Sequence, residues 1–434
     1  MQQSIRAAAL EFKEKSKNRH ITIVSHYDTD GITSAAIMIK ALTKLRKGFS
    51  VKIVKHLEQE ILDEIRNDFV IFLDLGASFL ERFSQLNKKI FILDHHETLQ
   101  DIPENVTIIN PRLHSEEEIS ASSLTYLFCR ELIGPNKDLA NLAIIGMVGD
   151  MLDKEVSKLN NEIMKDAEIK IKRGLLLYPA TRPLNKALEL GSGLYIPGVT
   201  GNSKGVFDLL SDAGLTKENG AFKSLIDLNE EETSRLVTAI MLRKKDATNI
   251  IGNIYLVKFF NKLEDARELS AMINACSRLE NSDIALSFCL NNRKARDKAE
   301  SIYARYKQHI IQGLSYVERN KIEGQGYVII NAKNMIKDTI IGTISSILAS
   351  SRIYPDGTLI IGLAYDNEKI KVSARVCGRE GRNAREVLEQ ATRGLPKAEC
   401  GGHPSAAGCL ISIDSEKDFL SNLTRALDLE IVKI

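Results

Sequence analysis

Three apolar runs in the first hundred residues each end in side chains that bind metal ions. Ile21-Thr22-Ile23-Val24-Ser25 runs into His26-Tyr27-Asp28-Thr29-Asp30-Gly31, Val70-Ile71-Phe72-Leu73 into Asp74-Leu75-Gly76, and Ile90-Phe91-Ile92-Leu93 into Asp94-His95-His96. A helical stretch from Leu139 to Val148 then delivers Gly149-Asp150. His26, Asp28 and Asp30 stand at i, i+2 and i+4, on one side of an extended chain. A tight turn at Gly31 would gather them equally well. One imidazole with two carboxylates is a hard-to-borderline ligand set. Taken alone, the hexapeptide reads equally as an Asx-rich turn capping a helix from Ile32. Its repetition tips the balance, because unrelated turns rarely repeat one chemistry at successive strand ends. His26, Asp28, Asp30, Asp74, His95 and Asp150, with Asp94 and His96 beside them, are too many ligands for one ion and suit two.

The elements that must position these residues follow from the same pattern. Apolar strands near residues 21, 51, 70, 90 and 106 alternate with helices, the first with helical spacing from Ser34 to Leu45. This predicts a doubly wound parallel sheet, in which ligands collect beyond the carboxyl ends of the strands. Asn110-Pro111-Arg112 closes the fifth strand. Ser120-Ala121-Ser122-Ser123 starts a helix to about Leu132, where the serines read as N-cap chemistry or as small residues packed near a metal site. Residues 154–173 read as one charged linking helix, and 174–250 as a helical scaffold broken at Gly191-Ser192-Gly193 and Pro197-Gly198. Arg173 and Arg182 are candidates for phosphate contact there, although a solvated surface arginine is the commoner case.

A second sheet begins at Ile254-Tyr255-Leu256-Val257, and a helical block at about 263–317 separates it from a strand at Tyr327 to Ile330. Further strands are expected at 358–363 and 370–376, with turns at Asp356-Gly357 and Asp366-Asn367. Gly401-Gly402-His403-Pro404-Ser405-Ala406-Ala407-Gly408 follows. Paired glycines beside His and Ser let backbone N–H groups approach an anion, although a glycine-rich turn with an incidental His has the same sequence.

Composition narrows the class. The chain has 434 residues, 44% hydrophobic and 27% charged, with a net charge of +2. That describes a soluble globular protein of about two or three domains. Any basic surface for nucleic acid must be local. Cys129, Cys276, Cys289, Cys377, Cys400 and Cys409 form no CxxC pair and read as reduced core thiols of a cytoplasmic protein. The N-terminal MQQSIRAAALEFKEK is an amphipathic helix with mixed charge, not a signal or membrane segment.

HYDTDG, LDLG at Leu73 to Gly76, LDHH at Leu93 to His96, VGD at Val148 to Asp150 and GGHPSAAG at Gly401 to Gly408 occur in one ordered set. In these motifs the chain resembles the DHH phosphoesterase superfamily, and within it the archaeal RecJ-like nucleases. These include proteins that associate with the GINS replication complex, and relatives of a catalytically degenerate eukaryotic replication factor. The resemblance implies an α/β fold: a doubly wound parallel sheet (the DHH domain, 1–190), a helical connector (191–250) and a smaller mixed α/β DHH-associated domain (251–434). The last would carry the helical block at about 263–317 as an insertion.

The resemblance also implies two Mn²⁺ ions, with Mg²⁺ as the alternative. His26, Asp28 and Asp74 would hold one ion, and Asp30, Asp74, His95 and Asp150 the other. Imidazole mixed with oxygen favours Mn²⁺, since Mg²⁺ prefers all-oxygen shells. Catalytic roles fall to His96, at the scissile phosphate, and to Asp94, better placed to orient a neighbouring His than to ligate. Arg375, Gly401, Gly402, His403 and Ser405 would grip the substrate backbone. The activity implied is exonuclease digestion of single-stranded DNA or RNA, with GINS as a partner. The alternatives are a nano-RNase or cyclic-dinucleotide phosphodiesterase, usually shorter and without the insertion, and a replisome scaffold with accessory nuclease activity. A scaffold would be expected to have lost ligands, and none is substituted here. A family II pyrophosphatase is disfavoured because its C-terminal domain lacks the GGHPSAAG-type loop.

Overall fold

The computed structural model describes residues 1–98, 101–113, 117–191, 194, 196–243, 250–351, 353–378 and 381–431. Of the expected break at Gly191-Ser192-Gly193, Ser192 and Gly193 lie outside these residues. α1 (Gln2–Lys15) buries Ile5, Ala8, Ala9 and Phe12, a helical stripe. Then come β1 (Ile21–His26), α2 (Thr29–Lys44), β2 (Phe49–Val54), α3 (Gln59–Glu64), β3 (Phe69–Leu73), α4 (Leu80–Ser84), β4 (Lys89–Leu93) and β5 (Val106–Ile109). The five strands form one parallel sheet in the order β2-β1-β3-β4-β5. Strand β3 is wholly apolar and buried, and β4 is so beyond Lys89, as helices on both faces require. The chain leaves β1 for one neighbour, then returns to the other side as β3, so a topological switch point lies between β1 and β3. Register sets the rest: Ser25 pairs with Leu73, and Leu73 with Leu93. His26, Asp74 and Asp94 therefore leave three adjacent strands at one level.

α5 (Ala121–Ile133) and α6 (Lys137–Gly149) pack against α2. Phe12 of α1 ties this layer to the sheet: its ring stands edge-on to Phe69, Phe91 and Phe128, with centroids 5.5, 5.3 and 5.3 Å away. Such pairs add about 0.5–1.5 kcal/mol each beyond the area they bury.

The expected charged helix over 154–173 is shorter. α7 (Lys158–Ala167) stops where Glu168 turns left-handed (φ 50°), and β6 (Lys170–Leu175) follows. The alternation in Lys170-Ile171-Lys172-Arg173 is strand spacing, and a distant partner completes the strand. After α8 (Leu184–Leu190), α9 (Ser203–Asp212) and α10 (Glu230–Arg243), β7 (Ile251–Phe259) pairs antiparallel with β6 and then with β8 (Lys262–Asp265). α11 (Ala266–Arg278) and α12 (Ser282–Cys289) pack on α2, and α11 also on α6.

The packing therefore divides the chain differently from the boundaries read off the sequence. The first unit comprises Met1–Ala187, Lys217–Thr233 and Asn249–Tyr303; the second comprises Leu188–Thr216, Ser234–Thr248 and Ala304–Ile434. Residues expected to open the C-terminal domain instead complete the first unit, because β7 found its partner in β6. The block at 263–317 is not a separable insertion: α11 buries Leu269, Met272, Ile273 and Cys276.

α13 (Arg293–Asn320) leads to β9 (Ile322–Gly324), β10 (Tyr327–Asn331), α14 (Asp338–Ser351), β11 (Leu359–Asp366), β12 (Lys369–Val376), α15 (Ala384–Thr392), β13 (Glu399–His403), β14 (Ala406–Ser412) and α16 (Glu416–Ile431). The sheet order is β13-β14-β12-β11-β10-β9, antiparallel except for β10 with β11. Leu359, Ile361 and Val372 pack against Val387, Leu388, Phe419 and Leu423 of α15 and α16, forming the core of this sheet. No helix among the described residues is long and apolar enough to cross a membrane.

Candidate metal centre

The first loop gathers its ligands by turning, not by staying extended. β1 ends at His26, and Asp28 caps α2, its Oδ1 accepting from Gly31 N at 3.0 Å. A Cβ on Gly31 would stand 2.3 Å from the His26 carbonyl oxygen, so only glycine lets the chain double back this closely. The turn lays His26 Nδ1 3.1 Å from Asp28 Oδ2 and 3.2 Å from Asp74 Oδ2. Asp74 adopts φ 59°, in the left-handed region that Asp tolerates better than most residues, and its N–H donates to Leu93 O at 2.9 Å.

His95 closes a second group. Its Nε2 lies 3.3 Å from Asp74 Oδ1 and 3.3 Å from Asp150 Oδ2, Asp150 being the residue on which α6 ends. Asp30, in the first turn of α2, accepts from Ala121 N at 2.6 Å and Ser122 N at 3.0 Å, so the start of α5 orients its carboxylate. Ser120 meanwhile accepts from Ser123 N, so the serine-rich helix start serves as cap and site wall together. Potential ligand atoms of His26, Asp28 and Asp74 lie within 4.8 Å of one another, as do those of Asp30, His95 and Asp150. The same holds for Asp74, His95 and His96.

Four carboxylates converge here with two imidazoles, and burial makes this costly without a cation. Burial first, then the charges of Asp28 and Asp30, pushes the Asp74 carboxyl well above its usual range. Asp150 is raised by burial and then by Asp30. Burial works against the charge of His26, but hydrogen bonds to Asp28 and Asp74 outweigh it and push the imidazole up to about 11. Asp28, also opposed by burial, is held low by His26. Asp74 Oδ1 and Asp150 Oδ2 are buried with no hydrogen-bond partner among the described residues. Orphaned carboxylate oxygens facing imidazole nitrogens are what divalent ions would satisfy, so the residues fit the implied metals.

Asp94 has a different task. Its Oδ2 accepts from Ala77 N at 2.9 Å, and its Oδ1 from His95 N at 2.8 Å, His96 N at 3.2 Å and His96 Nδ1 at 2.7 Å. Both oxygens are committed, which leaves the carboxylate to fix the His96 ring. That hydrogen bond also raises the His96 pKa, against burial. Asp94→Asn is expected to retain bound metal but lose roughly 10–100-fold in kcat, as for other partners that orient functional histidines. Metal analysis beside steady-state rates checks it, and loss of metal would make Asp94 a ligand instead.

In the second unit, the glycine-rich motif forms a β-hairpin. Arg375 of β12 pairs with Ala406 of β14, and Val376 N donates to Ser405 O at 3.0 Å, so Arg375, Gly401, Gly402, His403 and Ser405 share one corner. Gly402 has φ 126°, and a Cβ there would meet Ala406 O at 2.6 Å. The Arg375 guanidinium is steadied by Ala374 O at 2.8 Å, Ala407 O at 3.2 Å and Ser346 Oγ at 3.1 Å. Arg182, a candidate from the sequence, pairs with buried Glu268 at 2.7 Å.

Some residues of the centre are not evident from its motifs. Asn110, fully buried, donates to His96 O at 2.8 Å, and only its place after a strand hints at this. Thr29 Oγ1 donates to Ser270 O at 3.0 Å, binding the metal loop to α11 across 241 residues of sequence, which no local signal reveals.

Models of three domains match along the chain: the DHH family N-terminal domain at residues 20–147, the DHH-CID domain at 177–250 and the DHHA1 domain at 324–428. The chain thus carries a DHH domain and a DHHA1 domain. It is 29% identical to the uncharacterized protein MJ0831 of Methanocaldococcus jannaschii, over 95% of this chain and 94% of that one. It is 22% identical to the single-stranded-DNA-specific exonuclease RecJ of Bacillus subtilis over 95% of its own length, and spans 46% of that protein. Among solved structures, exonuclease RecJ bound to manganese shares the fold with a TM-score of 0.64 at 16% identity, covering 98% of this chain and 94% of that one. CDC45 from Entamoeba histolytica does so with 0.68 at 13%, covering 98% and 99%. The fold of this DHH protein is thus RecJ-like.

Proposed function

We propose that this DHH protein is a metal-dependent phosphodiesterase that removes nucleotides from single-stranded DNA or RNA, acting in replication or repair. The observation that carries the reading is the unsubstituted ligand set, with the orphaned oxygens of Asp74 and Asp150 between its two groups. His26, Asp28 and Asp74 would hold one Mn²⁺, and Asp30, Asp74, His95 and Asp150 a second. Such ions supply an activated water and charge stabilisation for in-line displacement at phosphorus. The chain's own residues orient the substrate around them. Asp94 holds Nδ1 of His96, leaving Nε2 to donate to a phosphate oxygen, and its pull on the imidazolium proton favours that donor form. RecJ, the relative named for this activity, and the manganese-bound RecJ of the same fold support the reading.

The test is digestion of end-labelled DNA and RNA oligomers of graded length with Mn²⁺. Stepwise shortening of long single strands is expected. Cleavage confined to the shortest oligomers or to cyclic dinucleotides would replace this reading with the nano-RNase alternative. No cleavage at all, with metal bound, would leave the scaffold reading.

The hairpin corner would bind the backbone of the strand. Arg375→Ala should weaken oligonucleotide binding and reduce the slope of log K against log salt by about one. Metal content should stay the same, and loss of manganese would overturn this division of labour. GINS is the proposed protein partner, on the resemblance in the sequence. Co-elution of the full chain with purified GINS is expected, and separate elution at micromolar concentrations would contradict it.

A further inference from the structure

A cavity of about 340 Å³ in the first unit lies away from the metal centre. Lys40 of α2, Lys137 of α6, Lys258 of β7 and Arg293 at the start of α13 line it, against one acid, Asp138. Lys40 is ten residues along α2 from Asp30, which is about 15 Å at 1.5 Å per residue. Lys137 already pairs with Glu168. Lys40, Lys258 and Arg293 have no ion-pair partner among the described residues, and Lys40 is half-buried. An ammonium withdrawn from water without a partner is unfavourable unless an anion joins it.

A second observation points the same way. Asn141, one turn into the cavity wall, is 2% exposed; its Nδ2 donates to Lys258 O at 3.0 Å, but its buried Oδ1 accepts from no group among the described residues. Buried polar atoms normally find partners. Lys258 and Arg293 are exposed and Lys40 lies near the charge of Asp138, so the lining carries an excess of positive charge that suits a phosphate, and the Asn141 oxygen asks for an N–H or O–H donor in the same molecule. Inorganic phosphate is far smaller than the cavity, while Phe259 and Phe260 give its wall an apolar side. We propose that this cavity binds a 5′-mononucleotide, its phosphate held among Lys40, Lys258 and Arg293 and its sugar or base donating to Asn141. The site needs neither the metals nor the nuclease reading.

Titration calorimetry on the full-length protein in EDTA, with each of the four common 5′-ribonucleotides in turn, tests this. At least one should bind at one per chain. The surface double variant Lys258→Ala/Arg293→Ala should weaken it at least tenfold, and Lys40→Met should weaken it further. Asp74→Asn should leave it unchanged. Absence of binding by all four at millimolar concentration would overturn the proposal, as would undiminished binding by the double variant. Loss of binding in Asp74→Asn would move the nucleotide to the metal centre. Inorganic phosphate binding as tightly as the best nucleotide would overturn the mononucleotide assignment, and the parent nucleoside binding as tightly would overturn the role of the cations.

Discussion

Asp74→Asn is expected to abolish phosphodiester hydrolysis while making the metal-free protein more stable. Among the described residues, Asp74 is the one carboxylate paired with both His26 and His95, so it would serve both metals. Losing a shared ligand should cost on the order of 10³-fold or more in kcat, beyond the roughly 10–100-fold expected of a residue that only orients a histidine. The stability effect has the opposite sign. Burial and two neighbouring carboxylates hold the folded-state pKa of Asp74 well above its ordinary value. Such a group favours folding below its unfolded-state pKa, and that advantage is lost as pH rises through the raised folded value. At neutral pH, well above the unfolded-state pKa, the metal-free wild type therefore carries a penalty that is absent at low pH. Asparagine removes the charge, keeps the shape and tolerates the left-handed backbone. Thermal melts in EDTA should show a higher Tm for the variant at pH 7, with the difference vanishing near pH 3. Saturating Mn²⁺ should reverse the order, because only the wild type gains the binding energy of two ions. A variant less stable than wild type in EDTA at pH 7 would contradict the electrostatic account.

Gly146→Ala should damage the centre from behind. Gly146 lies in α6, where alanine would ordinarily strengthen a helix by roughly 0.5–1 kcal/mol. Here its Cβ would stand 2.1 Å from Ser122 Oγ, 2.5 Å from Thr33 Oγ1 and 2.7 Å from Asp30 Oδ1. Those atoms belong to α5 and α2, which pack on either side and leave little room to yield. Overpacking of this kind costs about 1–3 kcal/mol, so the clash outweighs the propensity gain. Asp30 is the candidate ligand among the groups pressed, and a displacement near 1 Å at a reacting centre can cost about 10²-fold in rate. The expected result is a lower Tm together with weaker binding at the Asp30, His95 and Asp150 group. Wild-type rates and melting would show that α6 can move aside.

The metal-facing half of the protein was legible because its chemistry is local. Each candidate ligand follows an apolar run, and parallel pairing brings the ends of β1, β3 and β4 level, so period and residue type suffice to bring the candidates together. What the sequence left open at Gly31, an extended strand or a turn, was decided by a backbone contact with the His26 carbonyl that only a folded loop reveals. β6 was hidden for another reason. Its alternating lysines look like helical charge until β7, some eighty residues later, supplies its partner. The same pairing carries 249–303 into the first unit, which no composition change marks. Arg375 and Ser405 are 30 residues apart, yet the register of β12 with β14 sets them at one corner.

Anomalous diffraction at the manganese edge, from crystals of the wild type grown with Mn²⁺, tests the central claim most directly. Two peaks should flank the Asp74 carboxylate, one beside His26 and Asp28, the other beside Asp30, His95 and Asp150. A single peak, or manganese bound elsewhere with these side chains still paired to one another, would contradict a two-metal centre.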